Sequence, residues 1–270
     1  MNNIKKVVIQ IKKYNFRNEN NNIVGSLELE NNNIIGSLEL ENNKLYIYGD
    51  ILMDSFFKFE EKTEDVCPKD ILDFLKGLEN QEEIEIHINS GGGSVFGGLA
   101  IYNLLKSYKG KKIVYIDGLA GSIASVIALA GDEVYIYENS MMMIHNPLTA
   151  ICGYYNAKEL QEQINALENC KKSIISVYMA NITPLKDISK EKISELMDNE
   201  TWLVGSDVTE YFNINVIENK NNMVACTSAY FDKYKNMPKN IEIMKNKTVK
   251  NSLEEEKQKI LNDLEKISIF

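Results

Sequence analysis

Between residues 44 and 218, short apolar stretches alternate with segments in which apolar residues recur every three or four positions. The first pattern is typical of strands and the second of helices. We predict strands over residues 45–51, 84–88, 112–117, 133–137, 141–144 and 214–217. We predict helices from residue 68 onward and over residues 99–106, 122–130, 156–182, 189–197 and 206–212. Strands that alternate with helices in this way predict an α/β fold with a largely parallel sheet.

The first 43 residues follow a different pattern. Residues 20–30 read NNNIVGSLELE and residues 31–41 read NNNIIGSLELE, a near-copy. Leu and Glu alternate as they do in a half-buried strand, and the Asn clusters favour turns. Because two copies are too few for a solenoid, we interpret residues 1–43 as a hairpin-like extension lengthened by tandem duplication.

The chain ends in a third region, residues 219–270. Residues 219–250 are rich in Asn and Lys and are interpreted as a linker. The sequence SLEE at residues 252–255 is a capping box that opens an amphipathic helix. Its apolar stripe could bind a partner helix or pack on the protein's own core, and the sequence leaves both possibilities open. The predicted organisation is therefore 1–43, 44–218 and 219–270.

The composition excludes several classes of function. A net charge of −9 disfavours a nucleic-acid surface. The longest apolar run, near residues 122–130, is too short to span a bilayer, and the first residues do not read as a signal peptide. The four cysteines show no CxxC spacing, which argues against a zinc site and fits free thiols in a reducing cytoplasm. We therefore expect a cytoplasmic protein without a membrane or nucleic-acid partner.

Candidate chemistry is concentrated in residues 117–147. There a strand leads through GLAG to Ser122, where a helical run begins. A serine at a tight strand-to-helix turn presents its Oγ, and the helix N-terminus favours developing negative charge. His145 is one of only two histidines and is a candidate proton acceptor at neutral pH. Taken alone, a serine like Ser122 at a helix start is far more often an N-cap than a nucleophile, and a histidine before Asn-Pro, like His145, is usually a turn residue. The other histidine, His87, is interpreted as structural.

A glycine-rich stretch, INSGGGSVFGG at residues 88–98, lies between a predicted strand and a predicted helix. Glycines at such a point let the backbone approach a ligand with its N–H groups facing outward. Neither the Lys-Ser/Thr of a phosphate-binding loop nor a GxGxxG spacing is present. An oxyanion hole, in contrast, needs only backbone N–H donors near a nucleophile.

The motifs INSGGG, GLAGSIAS and MMMIHNP, in this order, resemble the Clp protease proteolytic subunit (ClpP) family. Within it, they look most like the phage and prophage branch of ClpP-like head maturation proteases. The resemblance covers roughly residues 44–218 and implies a ClpP/crotonase-like fold of stacked βαβ units with a protruding handle helix. It also implies Ser122 as nucleophile, His145 as general base, and the backbone N–H groups of Gly93 and Ile123 as the oxyanion hole.

The third member of the implied triad is one of two carboxylates. In the family it is an Asp just before an aromatic-Leu pair. Matching that pair to Trp202 and Leu203 puts Glu200 at the position of the Asp, and Asp198 is the alternative. Both could instead be exposed carboxylates at a helix end.

The resemblance implies a serine endopeptidase that works through an acyl-enzyme, with no cofactor and no metal. Its substrates would be phage capsid or scaffold proteins, processed in the host cytoplasm or the prohead. Alternatives are general ATP-dependent proteolysis with an AAA+ unfoldase, an inactive ring-forming scaffold, and a crotonase-type enzyme acting on acyl-CoA thioesters. The family also implies a homo-oligomeric ring, a heptamer or a double ring.

Overall fold

The chain comprises two compact units, Met1–Lys233 and Tyr234–Phe270. The computed structural model describes residues 7–9, 16–17, 23–25, 38–40, 43–58, 64–78, 83–218 and 228–238. The helices and strands within these ranges belong to the first unit. The amphipathic helix predicted from residue 252 onward and most of the predicted linker lie outside the described residues, so both stay predictions.

Four short strands precede the main sheet: β1 (Val7–Ile9), β2 (Phe16–Arg17), β3 (Ile23–Gly25) and β4 (Leu38–Leu40). β1 pairs antiparallel with β4, and β2 pairs antiparallel with β3. Of the repeated sequence, the structure describes IVG of the first copy, which forms β3, and LEL of the second copy, which forms β4. The rest of the repeat lies outside the described residues, and its interpretation as a lengthened hairpin stays a prediction.

A single seven-stranded sheet forms the centre of the fold. Its strands are β5 (Lys44–Ile51), β6 (Ile84–Gly93), β7 (Lys112–Gly121), β8 (Glu133–Tyr137), β9 (Met141–Ile144), β10 (Thr201–Val204) and β11 (Asn215–Ile217). All pairs are parallel except β9 with β10. The early part of β7 pairs with β8 and its last residues pair with β9, so β7 is shared by two branches of the sheet. Fully buried Leu, Ile and Val side chains from β5, β6 and β7 form the core on one face.

The described residues form five α-helices: α1 (Pro68–Gly77), α2 (Val95–Ser107), α3 (Ile123–Ala128), α4 (Ala157–Ala180) and α5 (Lys190–Asp198). Short 3-10 helices occupy Ser55–Phe57, Gly205–Glu210 and Phe231–Lys233. Two of the α-helices begin at serines, which are favourable N-cap residues. Ser94 at the start of α2 and Ser189 at the start of α5 each accept a hydrogen bond from a backbone N–H group of the first turn. Within the residues that the structure describes, no helix could cross a membrane, and no group of three or more His, Cys, Asp or Glu side chains could hold a metal ion.

The α4 helix is the long amphipathic helix that the sequence predicts. Its 24 residues extend over about 36 Å. Asn156 caps its first turn and forms a reciprocal capping box with Glu159. Its first half is almost wholly exposed, whereas Ile174, Ile175 and Tyr178 in its second half are buried. The helix therefore protrudes from the domain, as predicted.

The glycine-rich stretch differs from its prediction. We expected a loop after residue 88, but β6 continues to Gly93. The strand is kept extended by neighbours on both sides, because Asp50 and Ile51 of β5 pair with Gly92 and Gly93, and Ser90 pairs with Ala120 of β7. The helix that follows accordingly begins at Val95, four residues earlier than predicted.

Candidate active site

Ser122 lies at the turn between β7 and α3. Its backbone has φ 52° and ψ −124°, a conformation that residues other than glycine rarely adopt. The N–H of Ser122 donates to the carbonyl of Met143 at 2.8 Å, which ties the turn to β9. Ser122 occupies the N-cap position of α3, yet its side chain makes no capping hydrogen bond. The Oγ lies instead 2.7 Å from Nε2 of His145.

His145 follows directly after β9. Because β9 runs parallel to the end of β7, with Met143 paired to Gly121, the two strands deliver serine and histidine to the same edge of the sheet. Burial lowers the pKa of His145 below its ordinary value, and the negative charge of Glu200 partly opposes this shift. A neutral imidazole at neutral pH can accept a proton through Nε2, provided that Nδ1 carries the ring hydrogen.

Glu200 immediately precedes β10, the antiparallel partner of β9. Thr201 pairs with Ile144, so extending this register by one residue sets Glu200 opposite His145. Glu200 is only 8% exposed and has a left-handed backbone with φ 47°. The negative charge of its carboxylate favours the protonated imidazole and so raises the pKa of His145. Its Oε1 lies 3.4 Å from Nε1 of Trp202. The structure therefore brings Glu200 to the histidine.

Asp198, the alternative carboxylate, has other partners. Its Oδ1 accepts from Nζ of Lys171 at 2.5 Å and from Nδ2 of Asn146 at 2.7 Å. These donors lower the pKa of Asp198, whose side chain is 53% exposed. Lys171 lies on α4 and Asn146 follows His145, so this carboxylate links the long helix to the chain beside the histidine.

The glycines of β6 let that strand lie directly against the serine turn. A Cβ added at Gly92 would be 2.7 Å from Cβ of Ser122 and 3.3 Å from the amide nitrogen of Ile123. A Cβ added at Gly93 would overlap the backbone of Ile51. Only glycine permits this approach, which sets the backbone of Gly92 against Ser122 and the amide of Ile123. Gly93, the other predicted oxyanion donor, is the next residue along the strand.

Two further residues support the serine turn, and the sequence did not single them out. Oγ of Ser125 donates to the carbonyl of Ser122 at 2.5 Å and lies 2.7 Å from the hydroxyl of Tyr178. Tyr178 is fully buried on α4, and burial raises the pKa of its phenol well above the ordinary value, so the group stays protonated. From spacing alone, Tyr178 belongs to the apolar face of a helix. The one sequence feature that hints at this contact is Ser125, a polar residue within the otherwise apolar run after Ser122.

In chemical terms, the site is a hydroxyl hydrogen-bonded to an imidazole, with a buried carboxylate whose charge acts on that imidazole. The last residues of β6, Gly91–Gly93 (the glycine strand), lie against the serine turn. Such an arrangement can carry out nucleophilic attack on a carbonyl carbon, with the imidazole as proton acceptor. The chemical roles of Ser122, His145, Glu200, Gly93 and Ile123 stay predictions, and the geometry brings these residues together.

Comparisons with known proteins agree with this fold. A family model described as Clp protease matches residues 41–220, which include every residue of the site. The chain is 27% identical over 183 residues to an ATP-dependent Clp protease proteolytic subunit of Porphyromonas gingivalis, covering 65% of this chain and 78% of the relative. It is 25% identical over 173 residues to the subunit of the same name from Bacteroides fragilis, covering 62% and 81%. A mutant of ClpP1 from Listeria monocytogenes superposes with a TM-score of 0.50 at 27% identity, covering 66% of this chain and 92% of that chain.

Proposed function

Because the chain belongs to the Clp protease family, we propose that it is a serine endopeptidase that cleaves peptide bonds through an acyl-enzyme at Ser122. The observation that carries this proposal is the 2.7 Å contact between Oγ of Ser122 and Nε2 of His145 at a strained turn. A serine that served only as a helix cap would direct its oxygen to the first-turn amides.

In the proposed reaction, Oγ of Ser122 attacks the carbonyl carbon while Nε2 of His145 takes the hydroxyl proton. The carbonyl oxygen becomes an oxyanion, which accepts hydrogen bonds from the N–H groups of Gly93 and Ile123. Glu200 stabilises the imidazolium formed at this step, since its charge already favours protonation of the ring.

The tetrahedral intermediate then collapses. The bond to the leaving nitrogen breaks, His145 returns its proton to the amine, and an ester to Ser122 remains. A water molecule, deprotonated by the same imidazole, attacks this ester and releases the acid product. His145 passes the proton taken from this water to Ser122 as the ester breaks, so both side chains return to their starting protonation states.

The direct test replaces Ser122 with alanine. Hydrolysis of a small fluorogenic peptide should fall at least about a thousandfold, because removal of the nucleophile leaves only binding and oxyanion contacts. A fluorophosphonate probe should label wild-type protein and not Ser122→Ala. Ser107→Ala is the matched control, since Ser107 is exposed at the end of α2. Unchanged hydrolysis or retained labelling in Ser122→Ala would contradict the proposal.

For the biological role we propose processing of phage capsid or scaffold proteins during head maturation, in the host cytoplasm or prohead. The resemblance of INSGGG, GLAGSIAS and MMMIHNP to the phage and prophage branch supports this role, as do the long extensions on either side of the family match at 41–220. If capsid and scaffold genes flank its own gene, coexpression with their products should give Ser122-dependent cleavage. Intact capsid and scaffold in an assembling system would argue against it.

A second role, ATP-dependent proteolysis with an AAA+ unfoldase, is favoured by the relatives, which are named ATP-dependent Clp protease proteolytic subunits. The family forms oligomeric rings that work with unfoldases. For this chain we propose a ring as well, supported by the exposed Leu160 and Ile164 on the protruding half of α4. Degradation of a folded substrate only with the unfoldase and ATP would favour this second role. An assembled ring without fluorophosphonate labelling would identify an inactive scaffold.

A further inference from the structure

A short stretch of chain, the 228–233 segment, lies beyond the family match at 41–220 and still belongs to the first compact unit. The segment ends in the 3-10 helix Phe231–Lys233. Phe231 is only 4% exposed. The segment lies within residues 219–250, whose Asn- and Lys-rich composition predicts a linker, yet its Phe231 ring is buried in the domain.

Asp50, near the end of β5, is the polar anchor of the segment. Its side chain accepts from Oγ of Ser228 at 2.5 Å and from the N–H of Ala229 at 3.0 Å, one donor to each carboxylate oxygen. Oγ of Ser228 in turn accepts from the N–H of Tyr230 at 3.1 Å. Asp50 is 4% exposed, and a buried carboxylate is costly unless donors surround it, so these contacts are specific rather than incidental.

The segment also touches the glycine strand itself. A Cβ added at Gly91 would lie 2.5 Å from Cβ and Oγ of Ser228 and 3.1 Å from the ring of Phe231. The next residue, Gly92, is equally close to Ser122, since a Cβ added at Gly92 would be 2.7 Å from Cβ of Ser122. Neighbouring residues of the glycine strand therefore contact the 228–233 segment on the one hand and the serine turn on the other.

These contacts bear on the reaction because of what the glycine strand has to do. Three successive glycines have no side chains with which to fix their own position, and glycine has the largest conformational freedom of any residue. Donors that stabilise an oxyanion act well only when they are held rigidly at the correct position. Asp50 pairs with Gly92 in the sheet, so the anchor and the supported strand are direct neighbours.

We propose that the 228–233 segment positions the glycine strand for catalysis, with Ser228 and Phe231 as positioning residues that hold the Gly93 amide relative to Ser122. This inference rests on the proposed function. The segment is thus a working part of the catalytic domain of this chain, and a protein cut back to the family-matched residues would be a poor enzyme.

The test uses the full-length chain with Ser228→Ala and Phe231→Ala, and kcat is normalised to the fluorophosphonate-reactive fraction. We expect kcat to fall about tenfold with KM nearly unchanged. This loss is smaller than the hundredfold or greater fall in kcat that follows complete removal of an oxyanion donor, because the donor is displaced rather than lost. Ser228→Thr should restore activity because it keeps the hydroxyl. Phe56→Ala and Ser107→Ala are the controls, since both side chains are exposed.

A second measurement, amide hydrogen exchange, is independent of activity. Exchange at residues 90–93 should speed up several-fold in both variants and stay unchanged at residues 133–137. Two results would overturn the inference. One is a wild type with Ser122-dependent hydrolysis and two variants that keep the wild-type kcat. The other is unchanged amide exchange at residues 90–93 in the variants. If the wild type shows no such hydrolysis, the proposed function fails, and the exchange result alone decides whether the segment holds the strand. Should Phe231→Ala fail to fold, the milder Ser228→Ala carries both measurements.

Discussion

The two histidines of this chain have similar partners and different chemistry. His145 contacts Oγ of Ser122, and the negative charge of the Glu200 carboxylate raises the pKa of its imidazole. His87 also faces a carboxylate, because its Nδ1 lies 2.9 Å from Oδ2 of Asp117. A histidine associated with a carboxylate is therefore present twice.

The surroundings of His87 explain why only one of these pairs is a candidate active site. Tyr46 and Tyr115, its neighbours on β5 and β7, stack on its two faces at centroid distances of 4.8 Å and 5.2 Å. The hydroxyl near this pair is that of Tyr48, which donates to Asp117 at 2.7 Å. Burial and the charge of Asp117 raise the pKa of Tyr48, so the phenol stays protonated and acts as a donor. The strained serine turn, rather than the pairing of histidine with acid, distinguishes the candidate site.

The largest expected difference comes from replacing each histidine with glutamine. His145→Gln removes the proposed base, and kcat for peptide hydrolysis should fall at least about a thousandfold. His87→Gln should leave kcat nearly unchanged and lower the free energy of unfolding by about 1–3 kcal/mol through loss of the hydrogen bond to Asp117. Steady-state kinetics and denaturant unfolding of the two proteins measure both effects. Comparable losses of kcat in the two variants would abolish the distinction between the sites.

The carboxylates give the next largest contrast. Glu200→Gln should lower kcat by about a hundred- to ten-thousandfold, because an amide cannot stabilise the imidazolium. Asp117→Asn, at the other histidine, and Asp198→Asn, at the lysine, should lower kcat far less. Thermal unfolding shows whether each variant is folded. A larger kinetic loss in Asp198→Asn than in Glu200→Gln would reverse the assignment of the third triad member.

The smallest effect is a shift of the pH profile. His145 must be neutral to act as base, and burial lowers its pKa, so kcat/KM should rise through a midpoint below the ordinary histidine pKa and be complete by neutral pH. Glu200 raises the pKa of His145, so Glu200→Gln should move the acid limb to lower pH. Asp117→Asn should leave the limb where it is. A limb that moves to higher pH in Glu200→Gln would show that the two groups do not interact as described.

Much of the fold follows from local pattern. The alternating segment at β8 and the apolar run at β9 match their predicted bounds, and α4 begins and ends within about two residues of its prediction. The prediction of a loop at the glycine strand is wrong because its extended form depends on hydrogen bonding to β5 and β7, which no local pattern contains. The four-residue strand β10 escapes sequence prediction for a similar reason, since it exists through its pairing with β9.

The site divides in the same way. Ser122 and His145 stand out because each lies beside a turn signal and histidine is rare in this chain. The environment of Glu200 depends on a strand register, and the contact of Ser125 with Tyr178 spans 53 positions in sequence. The 228–233 segment contacts Asp50 over 178 positions, and it lies within residues 219–250, whose overall composition predicts a linker. Long-range contacts of this kind follow from the packed structure and leave no local trace.

The backbone of Ser122 also limits which nucleophiles this scaffold accepts. At φ 52° a branched Cβ is strongly disfavoured, so threonine would either distort the turn or leave the position next to His145. Cysteine has the unbranched Cβ of serine and fits the same turn. The backbone geometry therefore suits serine, which forms an ester, or cysteine, which forms a thioester, and disfavours threonine. A Ser122→Cys variant offers a way to trap natural substrates as thioesters.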